Sequence, residues 1–528
     1  TIADNTATQQ GGGVFTYLGG NYFNSVLYFN TAPTGPNIYN LSAFTVAHCC
    51  TVPDPGGTGN ITDDPAFVNR GAGNYRTMAM SPCVDSGNNA DAGGAFDLDG
   101  YPRIVGETVN RGCYEIPYAP APVSHVSPTG GHVAPFDTWA KAATNLQDAV
   151  SAVAVGGEVR VTNGTYRSGA TLVLDKALVL RSENGPEVTI LDGQNAVRCV
   201  AVTAADVMIE GFGLTGGAAG QGGGLQSSGT GTRLRRCTVA GCAAFEGGGV
   251  HLAAEGGVLE GCVIEGNTAS GEGSRGGGLH VAGGATLRGC MIRDNVAEDG
   301  AGLYAGGCLL LENCLVADNV AEYRGGGMTA GAGTALTGCT VARNSAFTGG
   351  GVCWLAGGDA ANSILQENLA FGPGTNYLLE AGVAGFNFCC TVPLPETGSG
   401  NLAASPLFFN PGAGDYHPGP DSPCIDAGSD ALAAGTGDLD GLPRISGAAV
   451  DMGAYEWASI HYVAPGGGHL SPFGNWASAA TNIQEALDRA RGGDRVLVSN
   501  GTYRIASALI ISRGVTLVGI AGREATIV

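Results

Sequence analysis

Lysine is almost missing from these 528 residues: only Lys141 and Lys176 occur. Lys and Arg together number 25 against 46 Asp and Glu, a formal net charge of −21. Nucleic-acid binding needs a basic stripe, and this chain has none. Its acidic balance suits cation binding or solubility instead. No apolar run is long enough for a membrane-spanning helix. No phosphate loop or nucleophile elbow occurs. Charged residues are scarce, at 13%, which implies a surface of Thr, Asn, Gly and Ala. The 91 glycines lack a collagen period, and hydrophobic content is 44%. That combination describes a turn-dense β protein.

What is present is a short sentence written repeatedly. Cys237, Cys262, Cys290, Cys314 and Cys339 recur at steps of 25, 28, 24 and 25, and Ser363 takes the next slot. Asn267, Asn295, Asn319, Asn344 and Asn368 each follow that slot by five residues; the first copy has Cys242 there. Glycine runs lead into Leu225, Val250, Leu279, Leu303, Met328 and Val352. A period in the mid-twenties means a repeat architecture, and such a unit must stack on its neighbours to bury its apolar face. Apolar and polar residues alternate in Cys262–Asn267 and Cys290–Asn295, which reads as strand. Each repeat is therefore one coil of a β-solenoid, with strands ~4.8 Å apart. The Asn residues form one ladder, bonding amide to amide. The five cysteines form a second. A left-handed hexapeptide solenoid would beat faster, so a right-handed parallel β-helix is expected.

A longer repeat lies over the first. Cys49-Cys50-Thr-Val-Pro53 matches Cys389-Cys390-Thr-Val-Pro393, and Ser81-Pro-Cys83 matches Ser422-Pro-Cys424, at offsets of 339 to 341. Residues 1–120 read as the C-terminal part of one long repeat of about 340 residues. Residues 121–457 are a complete one, and 458–528 begin the next. Each long repeat opens with a capping-box signal, Thr144 to Gln147 and Thr481 to Gln484. The apolar spacing that follows predicts a short helix over 144–155 that covers the end of the coil stack. Residues 369–457, rich in Pro and Asp, are expected to be an irregular coil with small strands. The chain is expected to be a slice of a longer tandem array.

The pairs Gly-Gly-Val250 with Cys262-Val-Ile-Glu-Gly-Asn267, and Gly-Gly-Leu279 with Cys290-Met-Ile-Arg-Asp-Asn295, resemble the repeats of polymorphic outer-membrane passenger proteins. More widely they resemble right-handed parallel β-helix, pectin-lyase-like bacterial surface proteins, including choice-of-anchor proteins. This fold hosts lyases, hydrolases, adhesins and inert stalks, so the resemblance speaks for fold more than activity. Hydrolases of the fold resemble one another in a Gly-His-Gly and an Arg-x-Lys, and neither motif occurs here. Lyases of the fold need clustered acids for calcium and an Arg or Lys base. The coils offer Glu246, Glu260, Glu265, Asp294 and Asp318 beside Arg233, Arg235, Arg236, Arg275, Arg288, Arg293 and Arg324, all expected to be solvated.

Four further constellations have two readings each. Asp426, Asp438, Asp440 and Asp451 could hold calcium, which wants six to eight hard oxygens. Alternatively they build a tight turn in which Arg444, or Arg103 in the first copy, pairs with an aspartate. Asn110 there replaces Asp451. The vicinal pair Cys49-Cys50 with Cys83, and Cys389-Cys390 with Cys424, could form disulfides pinning the irregular region or, less readily, bind zinc. Oxidised cysteines would place the chain outside the cytoplasm. His132 and His469 share a slot and read as hydrogen-bonded loop residues. His251 and His280 are expected to face solvent. The leading functional expectation is a secreted, non-enzymatic structural protein of an extracellular fibre, stalk or surface coat, with further copies of the same unit as partners. The alternative is an adhesin or glycan-binding passenger, which should show an exposed aromatic stripe that the coils do not advertise. A polysaccharide lyase or hydrolase is the third.

Overall fold

A computed structural model describes the chain except residues 79, 100, 105–107, 116–119 and 523–524. Short strands dominate, with two α-helices among the described residues, α1 (Leu146–Ala152) and α2 (Ile483–Arg489). The fold is an all-β parallel β-solenoid. The chain forms two compact units, Thr1–Tyr166 with Leu174–Glu183, and Arg167–Val173 with Asn184–Val528. These units do not coincide with the long sequence repeats.

One coil of the larger unit shows the plan. Strands Val250–Leu252, Gly257–Glu260, Val263–Glu265 and Thr268–Ala269 follow one another on four different sheets. Each pairs in parallel with the next coil, aligning Val250 with Leu279, Leu259 with Leu287, Ile264 with Ile292 and Thr268 with Val296. Alternation puts Val250, Leu252, Leu259 and Ile264 in the core. The corners explain the repeat. The residue before each slot cysteine has positive φ: Arg236, Gly261, Gly289, Asn313 and Gly338. Gly266, Asp294, Asp318, Arg343 and Glu367 do the same before each ladder Asn. Gly, Asn and Asp enter this region at least cost, and the stacked coils hold the others there. Glycine before each apolar strand has a second cause. A Cβ on Gly249, Gly278 or Gly302 would lie 2.9 Å from the Nδ2 of Asn267, Asn295 or Asn319.

The smaller unit has the same grammar. Ile2–Ala3, Val26–Tyr28 and Cys50–Thr51 pair in parallel. The antiparallel hairpin Phe67–Asn69 and Asn74–Thr77 follows. Ala121–Val126 then pairs with Val153–Val161, and that strand with Val179–Ser182. In the larger unit the region after the coils repeats this order. The hairpin Phe408–Asn410 and Asp415–Pro418 precedes Ile460–Val463, Arg495–Val498 and Thr516–Gly519, which pair in parallel.

Both helices start one residue later than the sequence signal placed them. Asn145, not Thr144, is the N-cap of α1: its Oδ1 accepts from the Asp148 amide, and its Nδ2 donates to Asp148 Oδ2 at 2.6 Å. Asn482 and Glu485 do the same for α2. Thr144 is drawn away because its amide and hydroxyl both meet His132 Nδ1 at 3.0 Å. Thr481 meets His469 in the same way. His132 and His469 are thus hydrogen-bonded loop histidines. The helix α1 ends at Ala152, short of residue 155, because Val153 opens a strand.

Candidate functional site

The Asn ladder is continuous. Each side-chain Oδ1 accepts from the backbone N and the Nδ2 of the Asn one coil earlier, at 2.9–3.1 Å from Asn267 through Asn295, Asn319 and Asn344 to Asn368. The last rung is Asn376, which the periodicity missed; it accepts from Asn368 and donates to the Val392 carbonyl at 2.8 Å. Asn5, Asn30 and Asn37 end the same way on Val52 in the smaller unit. Cys237, Cys262, Cys290, Cys314 and Cys339 stack beside the ladder, all buried.

All sixteen cysteines are free thiols. No disulfide joins the candidate cysteines in this structure. Cys50 and Cys83 share one apolar cluster with Val26 and Phe67, and Cys390 and Cys424 share another with Tyr416 and Met452. The thiol–thiol hydrogen bond with Cys83, and then burial, raise the Cys50 pKa, and Cys424 is raised by Cys390 and burial in the same way. Burial pushes Cys389 up to about 12 and also raises Cys49.

Among the described residues, the four candidate calcium carboxylates do not gather into a metal-holding group. Asp438 accepts from the amides of Asp440, Leu442 and Glu456. Asp451 accepts from those of Asp426 and Trp457, and Asp426 from Ala448 and Ala449. Asp440 binds His417 at 2.7 Å. The turn reading also needs correction: Arg444 pairs with Glu456, and Arg103 with Glu115, rather than with aspartates. Burial explains the choice, since each pair lies inside the turn and each guanidinium also donates to two backbone carbonyls.

Where one long repeat meets the next, inside the larger unit, a buried polar seam forms. Arg489 of α2 is 1% exposed. It donates to both oxygens of Asp415 at 3.1 and 3.4 Å and lies 4.1 Å over the Phe409 ring. His417 meets Asp415 at 2.6 Å through Nδ1 and Asp440 at 2.7 Å through Nε2, with its ring 3.9 Å from Tyr455. Burial works against the imidazolium, but the two carboxylates outweigh it and raise the His417 pKa. Burial likewise opposes the Asp415 carboxylate, yet His417 and Arg489 hold it well below the usual range. Beside this, Trp457 Nε1 donates to Asp494 at 3.0 Å, and His461 lies 3.3 Å from the same oxygen.

A second constellation runs along the coils. Gln226, His251, His280, Tyr304, Thr329 and Cys353 occupy the central position of successive paired strands. A central residue should point away from the core into solvent. Instead His251 is 3% and His280 6% exposed. The expectation that they face water is wrong because another line folds over them: Gln221, Glu246, Arg275, Asp299, Arg324 and Thr348, joined by bridges from coil to coil. Glu246 Oε2 lies 3.8 Å from His251 Nε2 and 3.8 Å from His280 Nδ1. The two imidazoles meet edge to face at 4.8 Å. Further along, Arg324 donates to Asp299 at 2.9 Å and to Glu380 at 3.1 Å. Elsewhere on the coils, Arg288 pairs with Glu260 and Glu312, Arg293 with Glu265, and Arg343 with Asp318.

Exposed aromatic rings occur beside the short-strand sheet, but only Phe347 and Phe371 share a slot in adjacent coils; Ser270, Glu298 and Glu322 separate them from Phe245. Phe245, Tyr323, Phe347 and Phe371 are 43, 54, 52 and 80% exposed, at or beyond the ends of the aligned short strands that carry exposed Val296, Val320 and Leu369.

A family model described as a right handed beta helix region matches residues 223–387. No curated protein sequence matches the chain. Among solved structures, a pectate lyase is similar at 14% identity and a TM-score of 0.44, over 63% of this chain and 96% of that one. A pectin methylesterase from Erwinia chrysanthemi is similar at 13% identity and 0.25, over 51% and 78%. A PL6 family alginate lyase is similar at 10% and 0.29, over 70% and 65%. What the match supports is the right-handed β-helix fold; no enzymatic activity follows from it.

Proposed function

We propose that this chain is a secreted, non-enzymatic structural protein, a strut of an extracellular fibre, stalk or surface coat, with further copies of the same repeat as its partners. The observation that carries this reading is the seam at Asp415, His417, Asp440 and Arg489. It ties the last strands of one long repeat to the helix that opens the next, through side chains removed from water. Removing one partner of such a buried charge pair costs about 3–5 kcal/mol, so the joint resists being opened. The acids and arginines that a lyase would need free in a groove are largely paired with one another across coils. Imaging of the native particle tests the reading. Filaments or a continuous coat are expected; free monomers that shorten a uronic-acid polymer would overturn it.

The exposed neighbouring rings of Phe347 and Phe371 favour a second reading, an adhesin or glycan-binding passenger. Aromatic faces stack on the apolar faces of ligands. Glycan binding by the intact chain that is lost in Phe347→Ala and Phe371→Ala would support it; binding indifferent to both changes would remove it.

A further inference from the structure

We propose that Glu246, His251 and His280 hold a divalent transition-metal ion of the zinc type, with one coordination position left open toward solvent. One ligand atom from each residue lies within 4.8 Å of the others. Zinc bonds of ~2.0–2.1 Å in a tetrahedron place ligand atoms about 3.4 Å apart, so the two 3.8 Å separations from Glu246 need to close by a few tenths of an ångström, and the two imidazole nitrogens, within 4.8 Å of each other, close further by ring rotation. Two imidazoles and one carboxylate make a borderline donor set that suits zinc, whereas calcium wants oxygen alone.

The independent observation is a pair of orphans. Nδ1 of His251 and Nδ1 of His280 are buried without a hydrogen-bond partner, and His280 Nδ1 is the atom that faces Glu246. Buried imidazole nitrogens are ordinarily satisfied; a metal would satisfy His280 directly. The nearby cations are already engaged: Arg198 donates to the carbonyls of Gln221 and Gly222, and Arg275 lies 4.9 Å over the Tyr304 ring. Gln221 donates to Glu246 Oε2 at 2.7 Å, orienting the carboxylate as a second-layer partner does in metal sites. Glu246 keeps 20% exposure, so an ion and its open position reach water on that side.

The neighbouring coil supplies the control. There Gln221 and Gln226 stand where Glu246 and His251 stand, so glutamine fits both slots in the folded stack. The intact chain, carrying Cys308→Ser to remove its exposed thiol, is titrated with zinc and, separately, with cobalt(II) under reducing conditions. One equivalent is expected, with a cobalt spectrum lacking thiolate charge transfer. His251→Gln and His280→Gln should each weaken binding at least tenfold, and Glu246→Gln should do so even if a histidine variant fails to fold. Absence of binding, undiminished binding in folded variants, or a thiolate spectrum would overturn the proposal.

Discussion

The chain contains two versions of one joint, and they differ in a few side chains. In the larger unit Arg489 fills the space under α2, bonded to Asp415 and stacked on Phe409. In the smaller unit the matching residues are Ala152, Asn74 and Val68. Arg76 stands in the place of His417, pairs with Asp99 at 2.6 Å and lies over Tyr114. Here a cleft of about 380 Å³ lies between hairpin and helix, lined by Val68, Asn74, Arg76, Asp99, His132 and Asp148 among others. One template therefore yields a filled joint or an open one, with four exchanged side chains between them. The backbone is indifferent: hairpin, turn and cap recur in both.

Arg489→Ala should have the largest effect. It leaves Asp415 and His417 buried with one cation fewer, a loss of about 3–5 kcal/mol. Hydrogen exchange should quicken across 406–457 and stay unchanged across 65–78. Equal quickening at both joints would mean that the sealed seam is not a local device. The next largest effect should be shared by the two joints. Asn376→Ala and Asn37→Ala remove the last rung of each ladder, leaving buried amides and carbonyls unpaired at about 1–3 kcal/mol. Because Val52 and Val392 receive these rungs identically, the two costs should match; a large disparity would show that the copies differ below the seam as well.

Much of this was legible from residues alone. The Cys and Asn spacing gives the coil, because each marks a corner whose preceding residue takes positive φ. The ladder's last rung was not, since the step from Asn368 to Asn376 is 8 rather than 24; only the parallel pair Asn30 and Asn37 hints at it. His251 and His280 share a slot in adjacent coils, which was a usable signal. Their burial was hidden, because period-two alternation cannot report a covering line five residues upstream. The exchange of Ala152 for Arg489 is visible once the long repeats are aligned, but its insertion between hairpin and helix is a tertiary fact. The structure holds the candidate cysteines of each irregular region as neighbouring buried thiols, a tertiary placement that spacing alone does not give.

The joints should also differ in their response to pH. In the sealed one, burial pushes Asp438 and Asp451 up to about 6, raises Glu456 against the pull of Arg444, and His417 is raised by its carboxylates. Each of these groups holds its proton more tightly folded than unfolded. Stability is then fully present below the unfolded pKa values and is lost as pH rises through the folded ones. Asp415 has the opposite sign, with a contribution lost only in strong acid. In the open joint Asn110 and Arg76 replace two of the titrating groups, and Glu115, raised to about 7, is the chief counterpart. Between pH 5 and 8 the sealed joint should weaken more than the open one, because more of its groups carry raised values. Site-resolved hydrogen exchange at the two pH values reads this directly.

The smallest effect should come from converting one joint into the other. Ala152→Arg with Asn74→Asp, Arg76→His and Val68→Phe would rebuild the sealed constellation against Asp99 and Tyr114. Desolvating the new charges offsets most of the attraction they gain, so a net stabilisation of about 1 kcal/mol or less is expected. The informative readout is therefore geometric. The new histidine should titrate above the ordinary range, by NMR, and the cleft should close in a crystal structure. A histidine that titrates normally would mean that the seam depends on more of its surroundings than the four exchanged side chains, and that filling the space under the helix is not what separates the two joints.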